Sequence, residues 1–360
     1  LEERSADTPY RFRRIIYACQ PDAATAMTAL ADRFTAIGGT TIAETGLRDL
    51  LLDDRGAICG VRALGPTGFA TVTARAVILA TGGFQGSPEL RARYLGRWAD
   101  QMVLRANAFS TGDGFQAALR AGAATAGPFS RFYGHMVPAP PAKVGLHNFA
   151  AVKPDFSEHA VFVNLHGERF DDEFLGDEVT VHAAAQQDQA LVFLVYDEAI
   201  RISYAAPRSD GRDVRADRLQ HIRDAGGEIL EAPSLAALAH EMAARWGVAR
   251  DRLLATLEQY NAAARAGDGA ALPIPKSGGL LPIETPPFYA LRCLPGITFT
   301  YGGARVNEQA QVLDTGGQPI PGLYAAGADV GGIYTRGYTG GLVLGLAFGR
   351  IAGRAAAASV

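Results

Sequence analysis

Apolar positions follow helical spacing in some parts of the chain and form short continuous runs in others. Ala26, Leu30 and Phe34 are four residues apart, which predicts a helix from Asp22 to Gly38 that ends at Gly38-Gly39. Further helices are predicted at Pro88 to Leu95, Gly112 to Ala121, Ser234 to Arg245 and Arg250 to Ala266. Strands are predicted at Thr40 to Thr45, Asp49 to Asp53, Ala57 to Leu64, Thr71 to Ala80 and Leu294 to Thr300. The chain is therefore expected to mix helices and strands.

The character of the sequence changes near Gly127. Long polar loops rich in proline follow this glycine, among them Pro138-Ala139-Pro140-Pro141. A second proline-rich stretch, Leu272 to Pro287, precedes a return to strand-like sequence. We therefore expect one domain inserted into another, with segments 1–126, 127–296 and 297–360.

Composition is that of an ordinary globular protein. The 360 residues are 48% hydrophobic and 20% charged, and the formal net charge of -3 gives no electrostatic case for nucleic-acid binding. Cys19, Cys59 and Cys293 form no CxxC pair, so neither an iron–sulfur cluster, a metal site nor a disulfide framework is expected. This cysteine usage favours a reducing, cytoplasmic location.

Glycine-rich motifs crowd the last sixty residues. Tyr301-Gly302-Gly303 comes first, and the run from Pro321 to Asp329 then reads as a short apolar strand that ends on Gly327. Parallel strands present ligands at their carboxyl ends. The motif set is typical of a flavin site, in which Gly302, Gly303 and Gly327 leave room for a flat cofactor and Asp329 faces its ribityl hydroxyls.

The closing segment predicts a helix with an unusual stripe. Its glycines recur every four residues and share one face, at Gly337, Gly341, Gly345, Gly349 and Gly353. Such a stripe predicts close packing against a sheet or the cofactor, and the alternative is a tightly packed structural helix. Arg350 and Arg354 interrupt the apolar run, so no membrane span is expected.

The start of this helix is the second part of the predicted flavin site. Thr339 is the predicted N-cap. The residues that follow, Gly340, Gly341, Leu342 and Val343, would aim free N–H groups and the positive end of the helix dipole at the flavin pyrimidine.

Three further motifs carry a family resemblance. The chain reads Ala-Val-Ile-Leu-Ala-Thr-Gly-Gly-Phe from Ala76, Thr-Gly-Asp-Gly from Thr111 and Val-Asn-Leu-His-Gly-Glu-Arg-Phe from Val163. From about Ile37 to Ala352 it resembles the fumarate reductase and succinate dehydrogenase flavoprotein family. The resemblance implies an α/β fold, a truncated Rossmann-like FAD-binding domain with an inserted α+β capping domain. It also implies FAD contacts at Ala80, Thr81, Gly82, Gly83 and Asp113.

One expected motif is absent from the sequence. No GxGxxG opens a helix after a first strand, although this motif binds the FAD pyrophosphate. The chain therefore resembles a family member without its first quarter, and a partner copy or a separate amino-terminal piece is expected to complete the sheet. The rival hypothesis is a non-catalytic flavoprotein fragment or assembly partner.

The resemblance also implies a reaction and a set of catalytic candidates. Members of the family pass hydride between flavin N5 and a carbon next to a carboxylate or carbonyl, while a protein group handles the proton. Arg201 stands where the family has its proton-delivering arginine, with Glu173 as the coupled carboxylate. Arg169 of the Gly-Glu-Arg-Phe motif contacts substrate or braces the capping domain, and His135 contacts substrate. The alternative for Arg201 is a surface pair with Glu198 or Asp197.

Two departures from the fumarate reductases bear on the substrate. Phe299 and Tyr301 occupy the region of a carboxylate-binding histidine, and Tyr338 lies near the position of a carboxylate-binding arginine, for which Arg336 is the possible substitute. Fumarate itself is therefore disfavoured. Together with Tyr334, these tyrosines resemble the site of ketosteroid dehydrogenases, in which phenols polarise a carbonyl or take a proton. The sequence is equally compatible with a tricarballylate dehydrogenase. The expected substrate is therefore a small carboxylate or ketone, and the redox partner is left open.

Overall fold

A computed structural model describes residues 2–4, 14–16, 23–154, 156–205, 218–335, 337–338 and 340–359. The strands are β1 (Glu2–Arg4), β2 (Arg14–Ile16), β3 (Gly46–Leu52), β4 (Ile58–Gly65), β5 (Gly68–Thr73), β6 (Val77–Leu79), β7 (Val103–Leu104), β8 (Thr125–Ala126), β9 (Phe132–Pro138), β10 (Val161–Asn164), β11 (Val192–Asp197), β12 (Ile229–Ala232), β13 (Phe288–Thr300), β14 (Gly303–Ala304), β15 (Gln311–Leu313) and β16 (Pro319–Ala325). The helices are α1 (Ala23–Ala36), α2 (Pro88–Tyr94), α3 (Asp113–Arg120), α4 (Phe149–Val152), α5 (Asp177–Ala184), α6 (Glu198–Ile200), α7 (Arg218–Asp224), α8 (Leu235–Trp246), α9 (Arg250–Ala266) and α10 (Gly341–Ala358).

A small sheet brings the two main glycine motifs together. Its strand order is β15-β16-β6, and β16 runs parallel to β6 with Ala325 opposite Leu79. Leu79 of β6 and Leu323 and Ala325 of β16 are buried, and they pack with β3 and β4 through Leu50 and Ile58. Because parallel strands end at the same edge, the loops after Leu79 and after Ala325 meet there.

A larger, mainly antiparallel sheet lies in the middle of the chain. Its order is β10-β11-β13-β12, and the second half of β13 pairs with β9 and β7. The strands are almost continuously apolar because both faces are covered, and α8 lies against β12 and β13. The predicted boundary between residues 296 and 297 falls inside β13. This strand pairs with β11 and β12 in its first half and with β9 and β7 in its second half.

Two predicted strands are wrong in detail. Residues 40–45 form no strand, and Glu44 has a φ of 53°, which interrupts extended backbone. The predicted strand from Thr71 to Ala80 is two strands, because β5 pairs with β4 whereas β6 pairs with β16.

Helix α10 packs on the sheet mainly through apolar positions beside its glycines. Leu344, Ala352 and Ala356 are buried, and α10 contacts β16 and β6. By contrast, no described atom lies within 4 Å of a methyl group placed on Gly345, Gly349 or Gly353, so these glycines do not pack on the described sheet, and packing of the stripe against the cofactor stays a prediction. The apolar positions four apart, beside the glycines, supply the buried face instead.

Helix α10 also bears on the expectation that the chain has no membrane span. Within the described residues it is long and apolar enough to cross a membrane by length and composition alone, with a mean hydropathy of 1.3 and 17% of its residues buried. A core helix passes the same test, so this finding is weak evidence for a span.

Candidate functional site

A buried carboxylate holds together the loops at the ends of β6 and β16. Asp329 is 1% exposed and accepts hydrogen bonds from the hydroxyl of Thr81 at 3.0 Å, the amide of Gly82 at 3.1 Å and the amide of Thr81. The Thr81 hydroxyl in turn accepts from the amide of Gly114, at the start of α3. Asp329 therefore shapes the protein's own loops, and its contact with ribityl hydroxyls stays a prediction.

The electrostatics of Asp329 reflect two opposing influences. Burial raises the pKa of Asp329, and hydrogen bonds from Thr81, Gly82 and Gly83 lower it without fully compensating. Gly82 and Gly83 have φ values of 95° and 82°, which let consecutive amides turn toward the carboxylate. Residues Ala80 to Gly83 are therefore organised by a residue nearly 250 positions away in sequence.

The other predicted cofactor residues lie around the same edge. Gly303 lies so close to the backbone of Asp329 that a methyl group on it would meet the Asp329 carbonyl oxygen at 2.6 Å. Gly302 packs on the ring of Phe129, and Gly327 faces open space. Asp113 is the first residue of α3, and its carboxylate lies 3.7 Å from Arg48.

The start of α10 has features that suit a flavin. Among the described residues, Gly340 precedes the helix without a side-chain cap, and the amide of Gly341 donates to the Tyr338 hydroxyl at 2.9 Å. Leu342 and Val343 are 50% and 62% exposed. Exposed apolar side chains at the positive end of a helix match a flat ring system that carries negative charge on its pyrimidine. The residues present thus fit FAD; Arg336 and Thr339 lie outside the described residues.

An aromatic cluster adjoins this helix start. The rings of Tyr133 and Tyr338 stack with centroids 3.8 Å apart, and Phe299 lies 5.6 Å from Tyr133. Tyr301 and Tyr334 complete the cluster, with ring centroids 5.2 Å apart. The structure therefore brings the three predicted tyrosines together. Tyr133, which sequence reasoning missed, lies two residues before His135 on β9, and period-two spacing on a strand places both on one face.

His135 connects the aromatic cluster to a buried acid. Its Nδ1 lies 2.8 Å from Asp177 and its Nε2 lies 3.2 Å from the Tyr133 hydroxyl. Burial raises the pKa of Asp177, but the charge and hydrogen bond of His135 outweigh burial and bring it to about 2. In the tautomer with hydrogen on Nδ1, His135 donates to Asp177 and its Nε2 accepts from the Tyr133 hydroxyl. Asp177 was missed because 42 residues separate it from His135 in the sequence.

Glu173 and Arg169 form a closed ion cluster with Lys276. The Arg169 Nη2 lies 2.7 Å and the Lys276 Nζ 3.2 Å from the same Glu173 oxygen, and all three residues are buried. Arg169 also donates to the carbonyl oxygen of Ile274. These contacts favour the alternative in which Arg169 braces the capping domain, and a catalytic role for either residue stays a prediction.

Arg201 lies in a π-helical turn after α6, where it forms an ion pair. Its Nε and Nη2 both lie 2.6 Å from the carboxylate of Glu198, and the Tyr289 hydroxyl donates to the same carboxylate at 2.8 Å. This is the pairing that the sequence left open as an alternative to proton delivery. The coupled carboxylate proposed for Arg201, Glu173, is already bonded to Arg169 and Lys276.

His182 makes folding stability depend on pH. It is 7% exposed, its Nε2 lies 2.7 Å from the Phe132 carbonyl oxygen, and burial lowers its pKa from 6.5 to about 4. The unfolded chain therefore binds a proton first as pH falls. We expect full stability above pH 6.5 and a loss of about 3 kcal/mol in unfolding free energy between there and pH 4.

Urea unfolding at a series of pH values measures this dependence. His182→Gln should remove the component between pH 6.5 and about 4, whereas His166→Gln, at an exposed pair with Asp188, should leave it unchanged. An unaltered pH profile in His182→Gln would show that His182 is not the titrating group.

Comparison with known proteins agrees with the geometry of a flavoprotein. Residues 8–341 match the family model described as FAD binding domain. The chain belongs to this family, its cofactor is FAD, and the resemblance to the fumarate reductase and succinate dehydrogenase flavoproteins is confirmed.

Three curated relatives illustrate the range of the family. The chain is 32% identical over 334 residues to NADH:acrylate oxidoreductase of Vibrio harveyi, covering 91% of this chain and 31% of that protein. It is 29% identical to fumarate reductase (cytochrome) of Shewanella frigidimarina, and the match covers 86% of this chain and 50% of that protein. It is 30% identical to 3-oxosteroid 1-dehydrogenase of Mycobacterium tuberculosis, and the match covers 70% of this chain and 47% of that protein. The chain thus spans half or less of the length of these relatives.

Solved structures show the same mixed α/β fold. The open conformation of a flavocytochrome c3 fumarate reductase aligns with a TM-score of 0.65 at 24% identity, covering 92% of this chain and 55% of that one. A 3-ketosteroid delta1-dehydrogenase from Sterolibacterium denitrificans aligns with a TM-score of 0.69 at 23% identity, covering 91% and 62%. The α/β class is therefore confirmed.

Proposed function

We propose that this chain forms the flavin and substrate site of an FAD-dependent oxidoreductase acting on a carbon–carbon bond next to a carboxylate or a ketone. The observation that carries the proposal is the Tyr133–His135–Asp177 chain of hydrogen bonds beside Tyr338 and the start of α10. FAD, when bound, supplies hydride transfer at N5. The protein must then hold the substrate, exclude water and move one proton.

The hydrogen-bond chain suits proton transfer in either direction. Burial raises the pKa of Tyr133 to about 12, so its hydroxyl is protonated at neutral pH. When Tyr133 takes a proton from a substrate carbon, it passes its own hydroxyl proton to Nε2 of His135, and Asp177 stabilises the resulting imidazolium. Reduction of a double bond uses the same steps in reverse.

A ketone substrate is the second candidate, and Tyr301 is the observation that favours it. The Tyr301 hydroxyl is buried and has no hydrogen-bond partner among the described residues. Burial also raises the pKa of Tyr301, so the group is a hydrogen-bond donor. Such an unused phenol suits the carbonyl oxygen of a ketosteroid, as in the dehydrogenases that this chain resembles.

Tyr338→Phe tests the proposed site. We expect turnover of the FAD-loaded, full-length protein to fall about 10- to 100-fold, because a hydroxyl at the junction of Tyr133 and α10 is lost. Its flavin spectrum should be unchanged. Steady-state assays with acrylate, fumarate, urocanate and a 3-ketosteroid measure the effect.

Tyr324→Phe is the matched control. Its hydroxyl bonds to Ser359 at 3.1 Å, within the packing of α10 and away from the aromatic cluster, so turnover should not change. Equal turnover in wild type and Tyr338→Phe would remove Tyr338 from the mechanism. A wild-type protein that retains FAD but turns over none of these compounds would instead favour the non-catalytic alternative.

A further inference from the structure

Arg105 is a buried cation beside the proposed site. It follows β7 directly, and its amide donates to the Ile297 carbonyl oxygen at 3.0 Å, which fixes it next to β13. The side chain is 3% exposed. Its guanidinium lies 4.1 Å from the ring centroid of Phe149 and 5.4 Å from that of Tyr133. The charge is therefore held against the same tyrosine that bonds to His135.

Two nitrogens of Arg105 are unused. Nε and Nη1 are buried and have no hydrogen-bond partner among the described residues. Asp177 and Glu178 act on Arg105 through charge, and together with Tyr133 they oppose the lowering of its pKa by burial. Asp177, however, is already bonded to His135. Arg105 also shares a side-chain hydrogen bond with Tyr133. Buried guanidinium N–H groups without partners are nevertheless costly, so a group outside the described chain is expected to bond to Nε and Nη1.

The sequence also leaves room for this side chain. A methyl group on Gly296 would lie 3.1 Å from the Cδ of Arg105, closer than side chains normally approach. Glycine at position 296 of β13 thus allows Arg105 to lie against the strand.

We propose that Arg105 binds a carboxylate of the substrate, with its unused N–H groups as donors. This inference rests on the proposed function, and it selects an anionic, carboxylate-bearing substrate over a neutral ketone. A carboxylate is the natural partner because guanidinium donors match its oxygens and its charge compensates the buried cation. Arg105 would then hold the substrate beside Tyr133, from which the proton is delivered.

Ligand binding without turnover tests the assignment. The FAD-loaded, full-length protein is titrated with propionate, succinate and 3-phenylpropionate, and with their methyl esters, while the flavin absorbance is followed. Wild type should prefer at least one acid over its ester. Arg105→Met should weaken binding of that acid by about 10- to 100-fold and leave binding of the ester unchanged. Arg105→Lys, which keeps the charge with fewer donors, should give an intermediate loss and decides the question if Arg105→Met does not fold.

Arg91→Met is the matched control. Arg91 is also buried, at 4% exposed, with Nε and Nη1 unpartnered among the described residues, but it bonds to the Asp100 carbonyl oxygen instead of adjoining Tyr133. Its replacement should leave the preference for acid over ester intact. The steady-state KM for an acid substrate should rise in Arg105→Met more than kcat falls, which a purely structural role would not produce.

The outcomes separate this inference from the proposed function. Equal weakening of acid and ester in Arg105→Met, or a wild type that prefers none of the acids, overturns the role of Arg105. Acid binding that depends on Arg105, without turnover of any unsaturated acid or ketone, would contradict the proposed function and leave the anion site standing.

Discussion

Replacing Glu173 with glutamine is expected to lower the free energy of unfolding by about 3 to 5 kcal/mol. Glu173 is 1% exposed and is the shared partner of Arg169 and Lys276, so its neutralisation leaves two buried cations without a counter-charge. Burial raises the pKa of Glu173, but Lys276 and Arg169 outweigh it and the net shift is downward. Its contribution is therefore present above pH 4.5 and is lost as pH falls through the lowered pKa.

Chemical denaturation at neutral pH measures this loss. Glu231→Gln is the control, because the Glu231–Arg223 pair is about half exposed and surface pairs contribute at most about 1 kcal/mol. If Glu173→Gln were no more destabilising than Glu231→Gln, the buried ion cluster of Glu173, Arg169 and Lys276 would not be a main source of the protein's stability. Normal turnover in a folded Glu173→Gln protein would also exclude Glu173 from proton delivery.

Replacing Asp329 with alanine is expected to weaken FAD binding by about 100- to 1000-fold. The substitution removes the acceptor for the Thr81 hydroxyl and for the amides of Thr81 and Gly82, and these donors are then left without their partner. The Ala80–Gly83 loop would lose the shape that it presents at the end of β6. Fluorescence titration with FAD measures the affinity.

Asp53→Ala is the matched control for this effect. Asp53 also accepts two backbone amides, those of Arg55 and Ala57, both at 2.9 Å, but it lies in an exposed turn between β3 and β4. FAD affinity should be unchanged in this variant. Equal FAD affinity in wild type and Asp329→Ala would contradict the account of the loop.

The parts of the site that the sequence revealed are local in the chain. The Ala-Thr-Gly-Gly turn and the strand that ends near Asp329 each carry their signal within a few residues, and parallel pairing of β6 with β16 places them together. The helices α1, α2, α3, α8 and α9 followed apolar spacing closely enough to be predicted within about two residues.

The parts that the sequence missed depend on long-range pairing. Lys276 lies in a proline-rich stretch 103 residues from Glu173, and no local pattern connects them. Tyr133 and His135 appeared to belong to a loop, because the pairing of β9 with distant β13 creates the strand. In α10 the spacing of four residues fits both the glycine face and the adjacent apolar face. The apolar face is the one that packs on the protein, because it carries larger side chains such as Leu344.

The most direct test of the central claim is an anaerobic flavin re-oxidation experiment. The FAD-loaded, full-length protein is reduced chemically and mixed with acrylate, fumarate, urocanate or a steroid dienone, while flavin absorbance is followed over time. The account predicts rapid re-oxidation by at least one of these compounds and recovery, in equal amount, of the product in which one carbon–carbon double bond is reduced. A reduced flavin that persists with every compound would contradict the assignment of this site to carbon–carbon oxidoreduction.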